Sequence, residues 1–170
     1  DNFDTIKSTG GPEYQTEVTD GALDAWERLW LALRKGVESK VDYMRLQGRN
    51  VDGTLNPNDP VLLDVDNLID YMIDIFFTGD EDRGLSVPLG NNRPNNFFAL
   101  RDRTGRRGFQ FFSQDAEQSM LSMHNVGGLQ ANRLGPFSGS NRSSLTYANP
   151  QWMHQDLMAN EHYRWRFQDR

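Results

Sequence analysis

The feature that most constrains this chain is the run from Leu63 to Thr78. Val65, Leu68, Ile69, Met72, Ile75 and Phe76 recur at helical spacing and make an apolar stripe too wide for a peripheral helix. Asp64 or Asp66 can cap its start, and Gly79 offers the left-handed stop that ends many helices. A helix apolar over so much of its circumference has to be covered on several sides. The spacing therefore predicts a central helix, with the rest of the chain packed around it.

The remaining segments supply partners for it. Leu23, Trp26, Leu29, Trp30 and Leu33 predict a first helix, capped by Thr19 or Asp20 and stopped at Gly36. A second is expected over 37–46, with Val37, Val41 and Met44 on one face. Arg49–Pro60, rich in Asp, Asn, Gly and Pro, has neither the EF-hand frame nor its closing Glu, so it reads as a turn. Phe97–Leu100 and Phe109–Phe112 are aromatic and β-prone, and the link RDRTG between them predicts a β-hairpin. Residues 121–148 read as a long loop or short helical turns. Asn149-Pro150 is a cap followed by a first-turn proline. The helix it opens should bury Trp152, Met153, Leu157 and Met158, and a last helix carries Tyr163, Trp165 and Phe167. The expected fold is α+β, mainly α with a small β-hairpin, in one domain over 1–170, with 1–18 irregular around the breaker Gly10-Gly11-Pro12.

Composition removes several function classes. A formal net charge of -6 argues against nonspecific nucleic-acid binding. Arg101, Arg103, Arg106 and Arg107 are a local exception around one turn; they read as a solvated hairpin tip or, more sharply, as a contact for an anion or an acidic partner. The absence of cysteine excludes disulfides, thiolate metal sites and cysteine nucleophiles. No apolar run approaches the ~20 residues of a membrane span, and the opening DNFDTIKSTGG has no basic-then-apolar signal pattern. His124, His154 and His162 are scattered without an HExxH pattern and read as surface or packed residues. The serines of GPFSGSNRSSL lack a G-x-S-x-G elbow, and the tryptophans at helical spacing read as core.

One order of residue types points to chemistry. After the central helix come the acidic turn Gly79-Asp80-Glu81-Asp82, a polar loop ending in Asn95-Asn96, the hairpin, and then Asp115. Phosphoryl transfer needs a carboxylate to orient the incoming hydroxyl and hard oxygen ligands for the metal ions that neutralise phosphate. Kinase-type phosphotransferases lay out base, Asn and Asp in this order around a hairpin. Asp82, Asn96 and Asp115 occupy those places, without a His-Arg-Asp or Asp-Phe-Gly motif.

The runs DNLIDYMIDIFFTGDED and NNFFALRDRTGRRGFQFFSQDAE resemble the spore-coat protein H (CotH) kinase family. That family shows a D-x-[DN]-x-[IVL]-x-[DN]-[YF] helix, a G-[ND]-x-D turn, an Asn opening an aromatic strand, and a [WF]-x-x-D-x-[DE] segment after a hairpin. Here these correspond to Asp64–Tyr71, Gly79–Asp82, Asn96-Phe97-Phe98 and Phe112–Glu117, within a likeness covering roughly 20–170. Asp80 stands where the family often has Asn, and Phe112 where Trp is common. The resemblance implies the C-terminal lobe of an atypical protein-kinase-like fold. It also implies phosphoryl transfer from ATP to Ser-rich protein substrates at cell or spore surfaces. It makes Asp82 the catalytic base and Asn96 and Asp115 ligands of Mg²⁺ (or Mn²⁺) and nucleotide, with Asn95 supporting the nucleotide and Glu117 the metal. The family's Gly-rich loop, strand lysine and paired Glu have no counterpart before Asp20, so a C-terminal-lobe fragment of a longer protein is expected. The alternative is a non-catalytic cell-surface or adhesion module that keeps the fold.

Overall fold

A computed structural model of the chain describes residues 2–120 and 130–170. At its centre is the helix Val65–Thr78, labelled α3 below. Asp64 caps it by accepting the Asn67 amide at 3.1 Å, and Gly79 ends it at φ 59°. Leu68, Ile69, Met72 and Ile75 are fully buried, as the apolar stripe predicts.

Around α3 the described residues form an α+β fold. In chain order they are β1 (Phe3–Ser8), β2 (Thr16–Asp20), α1 (Asp24–Lys35), α2 (Lys40–Leu46), α3, β3 (Gly84–Leu85), β4 (Pro94–Asn95), β5 (Phe97–Asp102), β6 (Gln110–Ser113), α4 (Pro150–Leu157) and α5 (Glu161–Gln168). Strands β2-β1-β5-β6 make one antiparallel sheet in that order, and β3 and β4 make a two-residue ribbon. The predicted hairpin is β5–β6, pairing Phe97 with Ser113 and Leu100 with Gln110. Trp26 of α1 inserts into this face, with its ring centroid 5.1 Å from that of Phe109 and 6.2 Å from that of Phe97. No helix among the described residues is long and apolar enough to cross a membrane.

Several expectations are corrected. The segment 2–18 is not irregular throughout: Phe3–Ser8 pairs with both β2 and β5, so the α+β fold carries a four-stranded sheet where a lone hairpin was expected. The inward residues of β1 are Asp4, Ile6 and Ser8, two of them polar, so apolar alternation could not reveal the strand. Asp4 is buried because Ala22 N–H donates to it at 3.0 Å and Arg101 and Arg103 donate at 3.2 and 2.8 Å. Burial alone would raise its pKa, but the Ala22 amide and the two guanidiniums outweigh it and hold the carboxyl below its ordinary range. Helix α1 begins at Asp24 with no side-chain cap, since Thr19 and Asp20 belong to β2; α2 begins at Lys40 behind a Ser39 cap, leaving Val41 exposed. Met158 and Trp165 are also exposed, at the end of α4 and on the outer face of α5. The Asn149 cap and the proline after it stand as expected, Asn149 accepting Trp152 N–H at 3.0 Å.

Candidate functional site

The C-terminal end of α3 runs directly into the acidic turn, and the turn is built from its own side chains. Asp80 accepts the backbone N–H of Asp82 at 2.9 Å. Its other oxygen takes Arg83 Nε at 2.6 Å and the Ser119 hydroxyl at 2.5 Å. Asp80 is therefore a brace paired inside the protein, with Asp80 and Arg83 almost fully buried. Arg83 also donates to Asp74 at 2.6 Å, to Thr78 at 3.2 Å and to the Ser113 hydroxyl of β6. Burial disfavours the Arg83 charge, yet Asp80 and Asp74 more than offset it and its pKa rises.

Asp82 faces the start of β5. Its Oδ2 accepts Asn95 Nδ2 at 2.9 Å and Asn96 Nδ2 at 3.2 Å, and its Oδ1 accepts the Ser86 hydroxyl. Three of the predicted site residues, Asp82, Asn95 and Asn96, thus meet at one carboxylate. Asn96 and Asp115 flank that same open end of the β5–β6 pair, where Phe97 pairs with Ser113. Gln114 N–H donates to Asn96 O at 3.3 Å, and Asn96 and Asp115 both have a left-handed backbone, at φ 50° and 53°. Asn and Asp tolerate that region better than other residues with a Cβ, and its cost is met chiefly at functional positions.

Asp115 and Glu117 lie exposed beyond β6 and share a hydrogen bond. That bond and the Asp115 charge push the Glu117 carboxyl above its ordinary range, and the charges of Asp82 and Asp80 add to the effect. The Glu117 carboxyl therefore senses three other carboxylates here, of which Asp80 is hydrogen-bonded to buried Arg83. Among the described residues no group of three or more His, Cys, Asp or Glu is placed to hold a metal ion. The predicted set contains two of those types, Asp115 and Glu117, with an Asn as its third member. The Asn96 amide nitrogen is engaged by Asp82, which leaves its oxygen as the atom able to ligate. Oxygen donors with uncompensated negative charge suit a hard divalent cation.

Sequence reasoning missed several residues that hold this arrangement. Ser86 and Arg83 stand within four positions of Asp82, so proximity in the chain was the available signal. Arg133 gave none. It lies 50 residues beyond Arg83, is buried, and its Nη2 donates to the carbonyls of Arg83 and Leu85 at 2.8 and 2.7 Å. Gln151 of α4 completes the grip, accepting Leu85 N–H at 3.1 Å and donating to Arg133 O at 2.6 Å. Burial pushes the Arg133 pKa down to about 10, with the neighbouring carboxylates pulling the other way. These contacts fix the segment that carries Ser86. His154 and His162 stand apart from the site: His154 is packed in the core, with Nδ1 2.7 Å from the Tyr163 hydroxyl, and His162 stacks near Tyr43. His124 lies outside the described residues.

Compared with protein-family models, curated proteins and solved structures, the chain matches none.

Proposed function

We propose that this chain carries the C-terminal-lobe portion of a CotH-like atypical kinase domain, serving metal-dependent phosphoryl transfer from ATP to Ser or Thr hydroxyls of a protein substrate. The observation that carries the reading is the single carboxylate of Asp82, held on one oxygen by Asn95 and Asn96 and touched on the other by a hydroxyl. A base in phosphoryl transfer must present a carboxylate oxygen to an alcohol, and Ser86 makes the same bond to Asp82 that an acceptor hydroxyl would make. Asn96 and Asp115 would hold Mg²⁺ or Mn²⁺ and the nucleotide phosphates, with Asn95 and Glu117 beside them. The ion, when bound, supplies neutralisation of phosphate charge. The protein's own part is to orient Asp82 through the two asparagines and to keep Asp80 neutralised by Arg83, so that one carboxylate rather than two acts at the turn.

Differential scanning of the intact parent protein tests this. Mg-ATP should raise its melting temperature, and Asp115→Ala should abolish the shift while leaving the ligand-free melting unchanged. Asp82→Asn should keep both folding and the Mg-ATP shift while slowing transfer by ~100-fold or more, the scale of an acid–base group. A wild-type protein without any Mg-ATP shift would leave the non-catalytic surface or adhesion module as the reading. Undiminished transfer in Asp82→Asn would remove Asp82 from the chemistry.

A further inference from the structure

The arginines around the β5–β6 turn divide into two pairs. Arg101 and Arg103 turn back onto Asp4, Arg101 also donating to Val61 O at 3.1 Å. Arg106 and Arg107 turn the other way and line a cavity of about 400 Å³ at the N-terminal end of α3, together with Arg49, Arg166, Asp64 and Asp66. That volume lies within the ~300–1,000 Å³ of ordinary ligand sites.

Charge in this cavity is unevenly matched. Asp64 is engaged on both oxygens, by the Asn67 amide at 3.1 Å and Gln110 Nε2 at 2.9 Å. Asp66 is engaged on both by Arg166 at 2.7 Å each, and Arg166 is braced further by Gln47 at 2.8 Å. Arg49 gives one nitrogen to Gly53 O at 2.6 Å. The guanidiniums of Arg106 and Arg107 make no hydrogen bond or ion pair among the described residues, and both side chains are exposed. The hollow thus gathers four guanidiniums, Arg49, Arg106, Arg107 and Arg166, against two carboxylates, Asp64 and Asp66, an excess of two positive charges, and neither carboxylate is hydrogen-bonded to Arg49, Arg106 or Arg107. Arginine forks bind carboxylates in bidentate fashion, as Arg166 already does with Asp66 in the same lining.

We propose that this groove docks an acidic, Asp/Glu-rich segment of a protein partner. Charge complementarity selects the class, and the rest of the chain narrows it. With a net charge of -6 and an acidic turn at the far end of α3, the molecule repels a long polyanion such as nucleic acid while accepting a short acidic stretch. The groove is separate from the Asp82 turn. The 14 residues of α3 set them about 20 Å apart at ~1.5 Å per residue. An extended segment crosses that distance in roughly six residues. The docking surface does not depend on the phosphotransfer reading, because it is defined by binding alone.

Fluorescence anisotropy on the full chain tests it, with a labelled peptide of alternating Asp/Glu and Ser as the probe and the matching Asn/Gln peptide as control. The acidic peptide should bind, more weakly as salt rises, and the control should not. Arg106→Gln combined with Arg107→Gln should weaken binding at least ~10-fold, with circular dichroism and melting unchanged because both side chains are exposed. Asp82→Asn should bind like the wild type, which separates this surface from the candidate active site. No binding of the acidic peptide below about 1 mM would overturn the proposal. So would equal binding of the control, affinity unchanged in the double variant, or tighter binding of a single-stranded oligonucleotide of equal charge.

Discussion

The two ends of α3 carry opposite charge and are held in opposite ways. At the C-terminal end, Asp80, Asp82, Asp115 and Glu117 gather around a turn whose geometry depends on side chains: buried Arg83 on Asp80, buried Arg133 on two carbonyls, two asparagines on Asp82. At the N-terminal end the framework is backbone. Phe109 N–H donates to Leu62 O at 2.8 Å, Asp64 N–H donates to Phe109 O at 3.1 Å, and the free arginines stand on that frame in solvent. A catalytic base, the role proposed for Asp82, must be placed to a fraction of an ångström, which calls for buried, mutually bonded groups. A surface that selects charge can leave its side chains mobile and still attract. The same helix therefore joins a rigid acidic end to an adaptable basic one, and substitutions at the two should behave differently.

The largest effect is expected at the acidic end. Arg83→Met removes the partner of fully buried Asp80 and should cost about 3–5 kcal/mol in a denaturation experiment, the scale for stranding one member of a buried pair. A loss under ~1 kcal/mol would mean that water reaches Asp80 and that the turn is not rigid. Next is the pH response of the packing behind that turn. His154 sits against Phe76 and Phe167, and burial pushes its pKa down to about 4. The unfolded chain takes up this proton near the ordinary histidine value of ~6.5, before the folded one does. Stability should therefore fall as pH drops from about 6.5 towards 4, by up to ~3 kcal/mol, and His154→Gln should flatten that part of the profile.

At the basic end the sensitive position is a glycine. A Cβ on Gly108 would come within 2.3 Å of Leu63 N and 2.5 Å of Leu63 C, so Gly108→Ala forces two backbones apart. About 1–3 kcal/mol is expected, read as a lower denaturation midpoint. The smallest effect belongs to the arginines themselves: Arg106→Ala with Arg107→Ala should change stability by no more than ~0.5 kcal/mol. A larger loss would show that these side chains are structural and would erase the contrast between the ends.

Much of the helical framework was legible in the chain, and the reasons are local. The α3 stripe, its Asp64 cap and Gly79 stop, and the Asn149-Pro150 start are encoded within a few residues each. Asp82, Asn95 and Asn96 were singled out by the order of residue types and by the family resemblance; that both asparagines bond the Asp82 carboxylate came from the packing. Strand β1 was hidden because its inward face holds Asp4 and Ser8, and an inward Asp is intelligible only beside Arg101 and Arg103, nearly a hundred residues later. Arg133 was hidden for the same kind of reason.

By itself, the sequence determined the central helix, the aromatic hairpin, the lack of any thiol chemistry and the order of acidic and amide residues after α3. These follow from periodicity, capping and composition, which act over short stretches of chain. Only the tertiary structure decided how charge is shared. Asp80 is a brace because Arg83 folds back onto it, and Asp82 keeps an oxygen for a hydroxyl because two amides hold the other. Arg101 and Arg103 are taken by Asp4, while Arg106 and Arg107 are left exposed without a hydrogen bond among the described residues. An ionic side chain's role depends on which opposite charge reaches it, and that is fixed only when distant segments pack together.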